Sequence, residues 1–92
     1  MADYTVRVEL RDADSDDYEL LHEKMKAKGY IREVEGDSGQ MYQLPPAEYV
    51  AKKDGTPTDV CNEVRAIANT IKKNRVLVTK SAGRSWFLDV VQ

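Results

Sequence analysis

Tyr4, Val6, Val8 and Leu10 alternate with Thr5, Arg7 and Glu9. A period of two with one apolar face predicts a strand over residues 4–10. Arg11 to Asp14 break the alternation. Asp14 or Ser15 then supplies a helix cap, because a carboxylate or hydroxyl accepts from the free N–H groups of a first turn. Tyr18, Leu21, Met25 and Lys28 follow at helical spacing, and Gly29 predicts the stop. Extended patterns return over 30–35, around Ile31 and Val34, and over 40–44, around Met41 and Tyr42. The turn residues Gly36-Asp37-Ser38-Gly39 between them predict a hairpin. Pro45-Pro46 bends or ends its second arm, with a further extended stretch over 47–51.

Val60, Val64, Ile67 and Ile71 are spaced four, three and four, which predicts a second amphipathic helix. Thr56 or Thr58 opens it, and Asn74 suits a left-handed C-cap. A short strand around Val76, Leu77 and Val78, a turn over 81–84 and a last strand over 85–91 complete the chain. The order β α β β α β β contains the split βαβ arrangement in its first six elements. The expected fold is therefore α+β: a ferredoxin-like βαββαβ sandwich, with an antiparallel sheet and both helices on one face. The extra C-terminal strand adds to the sheet edge or pairs with another chain.

Composition narrows the class. Ninety-two residues make one domain, 1–92, and 33% charged with 41% hydrophobic residues excludes a disordered chain. No apolar run exceeds three residues, so no membrane span is expected. The N-terminus lacks the pattern of a signal peptide, and Cys61 is the only cysteine, so the default location is the cytoplasm. The net charge of −2 argues against strong non-specific nucleic-acid binding. Charge is uneven, at −5 over residues 1–37 and +3 over 38–92. Acids at helix starts and bases at helix ends account for much of that split.

Few residues bear chemistry. His22, the only histidine, is the natural acid–base candidate. Cys61 has no base or cation beside it in sequence to lower its pKa. One Cys and one His cannot make a zinc site, no phosphate loop is present, and no cofactor is expected. Asp12, Asp14, Asp16 and Asp17 cluster after the first strand. Helix capping accounts for them, and they could hold Mg²⁺ only if two chains brought theirs together. Arg7, Arg11 and Arg32 with Tyr42 would make a basic and aromatic platform for single-stranded RNA if they shared a sheet face. Cross-strand pairing of those arginines with Glu9, Glu33 or Glu35 is the plainer alternative.

The stretch Tyr-Thr-Val-Arg-Val-Glu-Leu, the following Ala-Asp-Ser-Asp-Asp-Tyr and Leu-His, the run Met-Tyr-Gln-Leu-Pro-Pro-Ala-Glu-Tyr and the late Leu-Val-Thr-Lys before Trp resemble the GhoS-like family. These are the endoribonuclease antitoxins of type V toxin–antitoxin systems, and the resemblance runs over nearly the whole chain. It implies a ferredoxin-like fold and cleavage of the messenger RNA of a small membrane-active toxin. Metal-independent RNA cleavage needs a base, an acid and a cation on the phosphate. On this reading Arg7 and Arg32 stabilise phosphate charge, His22 and Asp12 move protons, and Arg11 and Tyr42 bind RNA. A second reading is a non-catalytic RNA- or protein-binding module that acts as a homodimer.

Overall fold

The computed structural model describes residues 1–91. In chain order its elements are β1 (Ala2–Leu10), α1 (Ser15–Ala27), β2 (Glu33–Glu35), β3 (Met41–Gln43), β4 (Glu48–Lys53), α2 (Pro57–Asn69) and β5 (Asn74–Lys80). The architecture is α+β, with a three-stranded antiparallel sheet in the order β4-β1-β5 and a separate two-stranded sheet of β2 and β3. β1 is the centre. Its apolar face, Tyr4, Val6, Val8 and Leu10, is buried, while Arg7 and Glu9 stay exposed.

β1 pairs with β4 on one side, Val6 opposite Tyr49, and with β5 on the other, Val6 opposite Val78. Both neighbours are antiparallel to β1, so they run parallel to each other, and α2 carries the chain between them. Leu21 and Met25 of α1, Val60, Val64 and Ala68 of α2, and Tyr30, Tyr49 and Ala51 join the β1 face in one core. Each helix shows its residues once per turn at the positions that the apolar stripes predict.

Both helices start on reciprocal caps. Asp14 accepts from the Asp17 N–H at 2.9 Å, and Asp17 accepts from the Asp14 N–H at 3.2 Å. Thr56 and Asp59 repeat the arrangement at 3.1 and 2.9 Å. Each pair satisfies two donors that a helix start leaves free. Gly55 precedes the second cap at φ +101°, and a Cβ there would lie 2.9 Å from Asp59 Oδ2, so only glycine fits.

Three expectations are corrected. The second helix ends at Asn69 with Thr70 as its cap, and Asn74 opens β5. Thr70 Oγ1 donates to the Ile67 carbonyl at 2.7 Å, and the Ile71 N–H reaches the Ala68 carbonyl at 3.0 Å. These tight bonds close the helix a turn before the apolar stripe ends.

The hairpin over 30–44 also stands apart from the main sheet. It touches β4 through one bridge, where Ile31 and Val50 exchange bonds of 2.9 and 2.8 Å. Pro45 and Pro46 have no N–H to donate, and Ala47 takes a positive φ of 64°. The chain turns there, and the stretch after the break becomes the neighbour of β1.

Residues 85–91, expected as an extra C-terminal strand at the sheet edge, form none. Val90 alone bridges to Tyr42, flanked by bonds from Gln43 N–H to the Asp89 carbonyl at 2.9 Å and from Val91 N–H to the Met41 carbonyl at 3.1 Å. The preceding turn is the cause. Arg84 donates through Nε to Thr5 Oγ1 at 2.9 Å and through Nη2 to the Tyr4 carbonyl at 3.0 Å. That grip holds the tail against β1 and leads it to the hairpin instead of alongside β5. Trp86 then meets the Tyr42 ring at 6.0 Å. No helix among the described residues is long and apolar enough to cross a membrane.

Met25 is fully buried, whereas Leu77 is 65% exposed on β5. Met25→Ala is expected to lower the unfolding free energy by about 2–5 kcal/mol. Leu77→Ala should change it by less than about 0.5 kcal/mol. Urea denaturation of the two variants checks this, and equal midpoints would contradict the core described above.

Candidate active site around His22

His22 follows the buried Leu21 on α1, and its ring is half-buried. One turn earlier Tyr18 fixes the end of β1: its hydroxyl accepts from the Leu10 N–H at 3.0 Å. Beneath the helix lies Tyr49 of β4, whose ring is fully buried. A buried tyrosine must find a partner for its hydroxyl. Here Tyr49 Oη meets His22 Nδ1 at 2.5 Å, with ring centroids 5.7 Å apart. When Nδ1–H donates to that oxygen, Nε2 keeps a free lone pair.

Burial lowers the His22 pKa below its ordinary 6.5, and the nearby Arg32 guanidinium lowers it further, against the opposing pull of Glu19. The imidazole is thus neutral near pH 7, the form a general base needs. Burial raises the Tyr49 hydroxyl well above its usual range, so it stays protonated.

Arg32 lies just before β2. Its carbonyl accepts from the Leu44 N–H at 2.8 Å and from Gln43 Nε2 at 2.8 Å, which fixes the backbone across the hairpin. Its side chain is different. Nε is buried and has no hydrogen-bond partner among the described residues. Leaving a buried donor unpaired costs about 1–3 kcal/mol, so such an exception in a fold asks for a reason.

His22 is the shared wall of two cavities. One, of about 230 Å³, also has Glu19, Glu23, Arg32, Glu33 and Gln43 in its lining. The other, of about 470 Å³, is bounded by Arg7, Tyr18, His22 and Pro46. The arrangement offers a neutral imidazole beside an unpaired guanidinium N–H, with a second cation at the far rim. Such a set can take a proton from a hydroxyl while holding an anion next to it.

Three of the sequence-predicted residues therefore converge: His22 and Arg32 in the first cavity, and Arg7 in the adjoining one. The others lie elsewhere. Arg11 and Asp12 are exposed in the turn between β1 and α1, with Asp12 at φ +51°. Tyr42 packs on Trp86 and lines neither cavity. The platform of Arg7, Arg11, Arg32 and Tyr42 on one sheet face is not assembled. Asp14 and Asp17 are engaged in the cap. Among the described residues no group of three or more His, Cys, Asp or Glu side chains could hold a metal ion. Cys61 is a free, half-buried thiol on α2.

No family model and no curated protein matches this chain. The site thus has to be read from its own chemistry. Sequence reasoning missed Tyr49, which orients His22 through its hydroxyl, and Tyr18, whose ring centre lies 6.4 Å from the imidazole. The signal for Tyr18 was its place four residues before His22, one helical turn away. Tyr49 carried no local signal, because its partner is distant in sequence.

A second titratable cluster is fully paired. Tyr30 Oη donates to Glu63 Oε1 at 2.6 Å, and Lys53 Nζ reaches the same oxygen at 3.0 Å. The Tyr30 hydroxyl is the main cause of a lowered Glu63 pKa, with burial opposing and Lys53 adding to it. With every group satisfied, this cluster joins α2 to β4 and leaves nothing free to react.

The charges around the imidazole make its titration a test of the geometry. In the wild type, ¹H–¹⁵N spectra should give a His22 pKa below 6.5. Arg32→Gln should raise it and Glu19→Gln should lower it further, because each removes a charge acting in the opposite sense. No change on Arg32→Gln would show that the guanidinium is remote from the ring.

Proposed function

We propose that this protein is a small antitoxin-type endoribonuclease that cleaves single-stranded messenger RNA, built on a ferredoxin-like fold. The strand order and the two helical connections support the fold: the bridge from Ile31 to β4 extends the series to Ile31, β4, β1, β5, the order a split βαβ sandwich requires. The whole-chain resemblance to the GhoS-like antitoxins supports the activity. One observation carries it: a neutral His22 shares a cavity with the buried, unpartnered Nε of Arg32.

In this mechanism the Arg32 guanidinium, on the cavity wall, donates to a non-bridging phosphate oxygen. His22 Nε2 takes the proton of the ribose 2′-hydroxyl as the 2′-oxygen attacks phosphorus. The bond to the 5′-oxygen breaks, water gives that oxygen a proton, the hydroxide left takes the proton back from the His22 imidazolium, and a 2′,3′-cyclic phosphate remains. Tyr49 holds the imidazole in place, and Arg7 meets the neighbouring phosphate along the strand. Work on messenger RNA places the protein in the cytoplasm, which suits a chain with one free cysteine.

The test is a time course with a mixed-sequence single-stranded RNA, with and without EDTA. Wild type should cleave in both conditions and leave cyclic phosphate ends. His22→Gln should slow cleavage by about 100-fold or more, and Arg32→Gln should do likewise through the lost phosphate contact. The acid limb of the pH–rate profile should have its midpoint below 6.5. RNA that is bound at saturation but never cut would leave a non-catalytic RNA-binding module as the correct description.

A further inference from the structure

The cavity beside His22 has a hydrogen-bonding character that phosphate chemistry does not use. Glu19 and Glu23 of α1 and Glu33 of β2 line it. None of the three carboxylates has a salt bridge or side-chain hydrogen bond among the described residues. Gln43, opposite Glu33 in the hairpin, lines it as well. Its Nε2 donates to the Arg32 and Leu44 carbonyls at 2.8 and 3.5 Å, and two acceptors there settle which amide atom is the nitrogen. Oε1 is left as one more acceptor. The cations in the lining, Arg32 and Lys26, suit a phosphate. The wall thus offers acceptors to whatever lies next to that phosphate. At about 230 Å³ the space is smaller than the sites of drug-sized ligands (~300–1,000 Å³) and suits one planar ring system.

We propose that this cavity is a nucleobase subsite that takes a base with an exocyclic amine and rejects uracil. The inference rests on the ribonuclease reading, because the phosphate held at His22 and Arg32 delivers the base. Cytosine and uracil have the same shape and differ at position 4, where one carries an amine and the other a carbonyl. An amine donates to a carboxylate or to the Gln43 oxygen. A carbonyl there faces lone pairs and negative charge, and it leaves the acceptors unpaired. The same acceptors also turn away a second phosphate, so the strand enters by its base on this side and by its backbone on the Arg7 side.

The experiment is an NMR titration of the full chain with 3′-CMP and with 3′-UMP, following the His22 ring and the Gln43 side-chain amide. Both nucleotides should shift His22, because they share the phosphate. The cytosine nucleotide should bind about fivefold or more tightly, and the Gln43 amide should move with it alone. Glu33→Gln should bring the two affinities together, and Glu23→Gln on the exposed side of α1 gives the same comparison if the first variant does not fold. Equal affinities together with a His22 shift overturn the subsite and leave the ribonuclease reading standing. No His22 shift with either nucleotide overturns both.

Discussion

Three tyrosine rings are fully buried in this core, and each has to bring its hydroxyl to a partner. Tyr4 donates to the Gly55 carbonyl at 2.7 Å, Tyr30 to Glu63 at 2.6 Å, and Tyr49 meets His22 at 2.5 Å. Much of the geometry follows from that requirement. The first bond sets the turn before α2, the second ties α2 to the segment after α1, and the third ties α1 to β4. An apolar side chain in any of the three places would fill the same volume without specifying how the layers sit on one another. The imidazole at the centre of the candidate site is therefore held by the same logic that aligns the fold.

His22 and Glu63 illustrate how one device gives two results. Both accept or share a hydrogen bond with a buried tyrosine. Glu63 also has Lys53, whose Nζ lies 4.6 Å from the Tyr30 ring centre as well as against the Glu63 oxygen, so its charge is matched. His22 is instead partly buried and has Arg32, a like-signed neighbour for its protonated form, and so loses its proton readily. The first cluster is closed and serves stability. The second is open: Arg32 and a neutral ring line space that a substrate could fill.

The sequence disclosed the elements whose signal is local. The alternation of β1, the stripe of α2 and the caps at Asp14 and Thr56 all depend on residues a few positions apart. It disclosed less wherever a distant partner decides. Residues 85–91 alternate like a strand, yet Arg84 binds β1 and sends them to the hairpin. The stretch after Pro45-Pro46 reads as the continuation of a hairpin arm, yet it is the strand beside β1. At the site, His22 and Arg32 stood out by residue type, while Tyr49 needed the sheet to be assembled before its role could be seen. Arg11 and Tyr42 fitted a platform only if their strands were neighbours, yet Tyr42 lies in the separate sheet of β2 and β3 and Arg11 in the turn after β1.

The placement of β1 between β4 and β5 has a consequence for biosynthesis. β1 precedes the other strands described, each later layer is built on it, and its far neighbour ends only at Lys80. Until the ribosome has released that stretch, the apolar face of β1 has one strand beside it at most. Native pairings of such long sequence separation form slowly and leave hydrophobic surface open to wrong partners while they wait. A chain that stopped after Lys80 would thus keep every residue of the candidate site and lack the Arg84 clasp that holds the tail. One that stopped before Asn74 would leave β1 without its β5 neighbour.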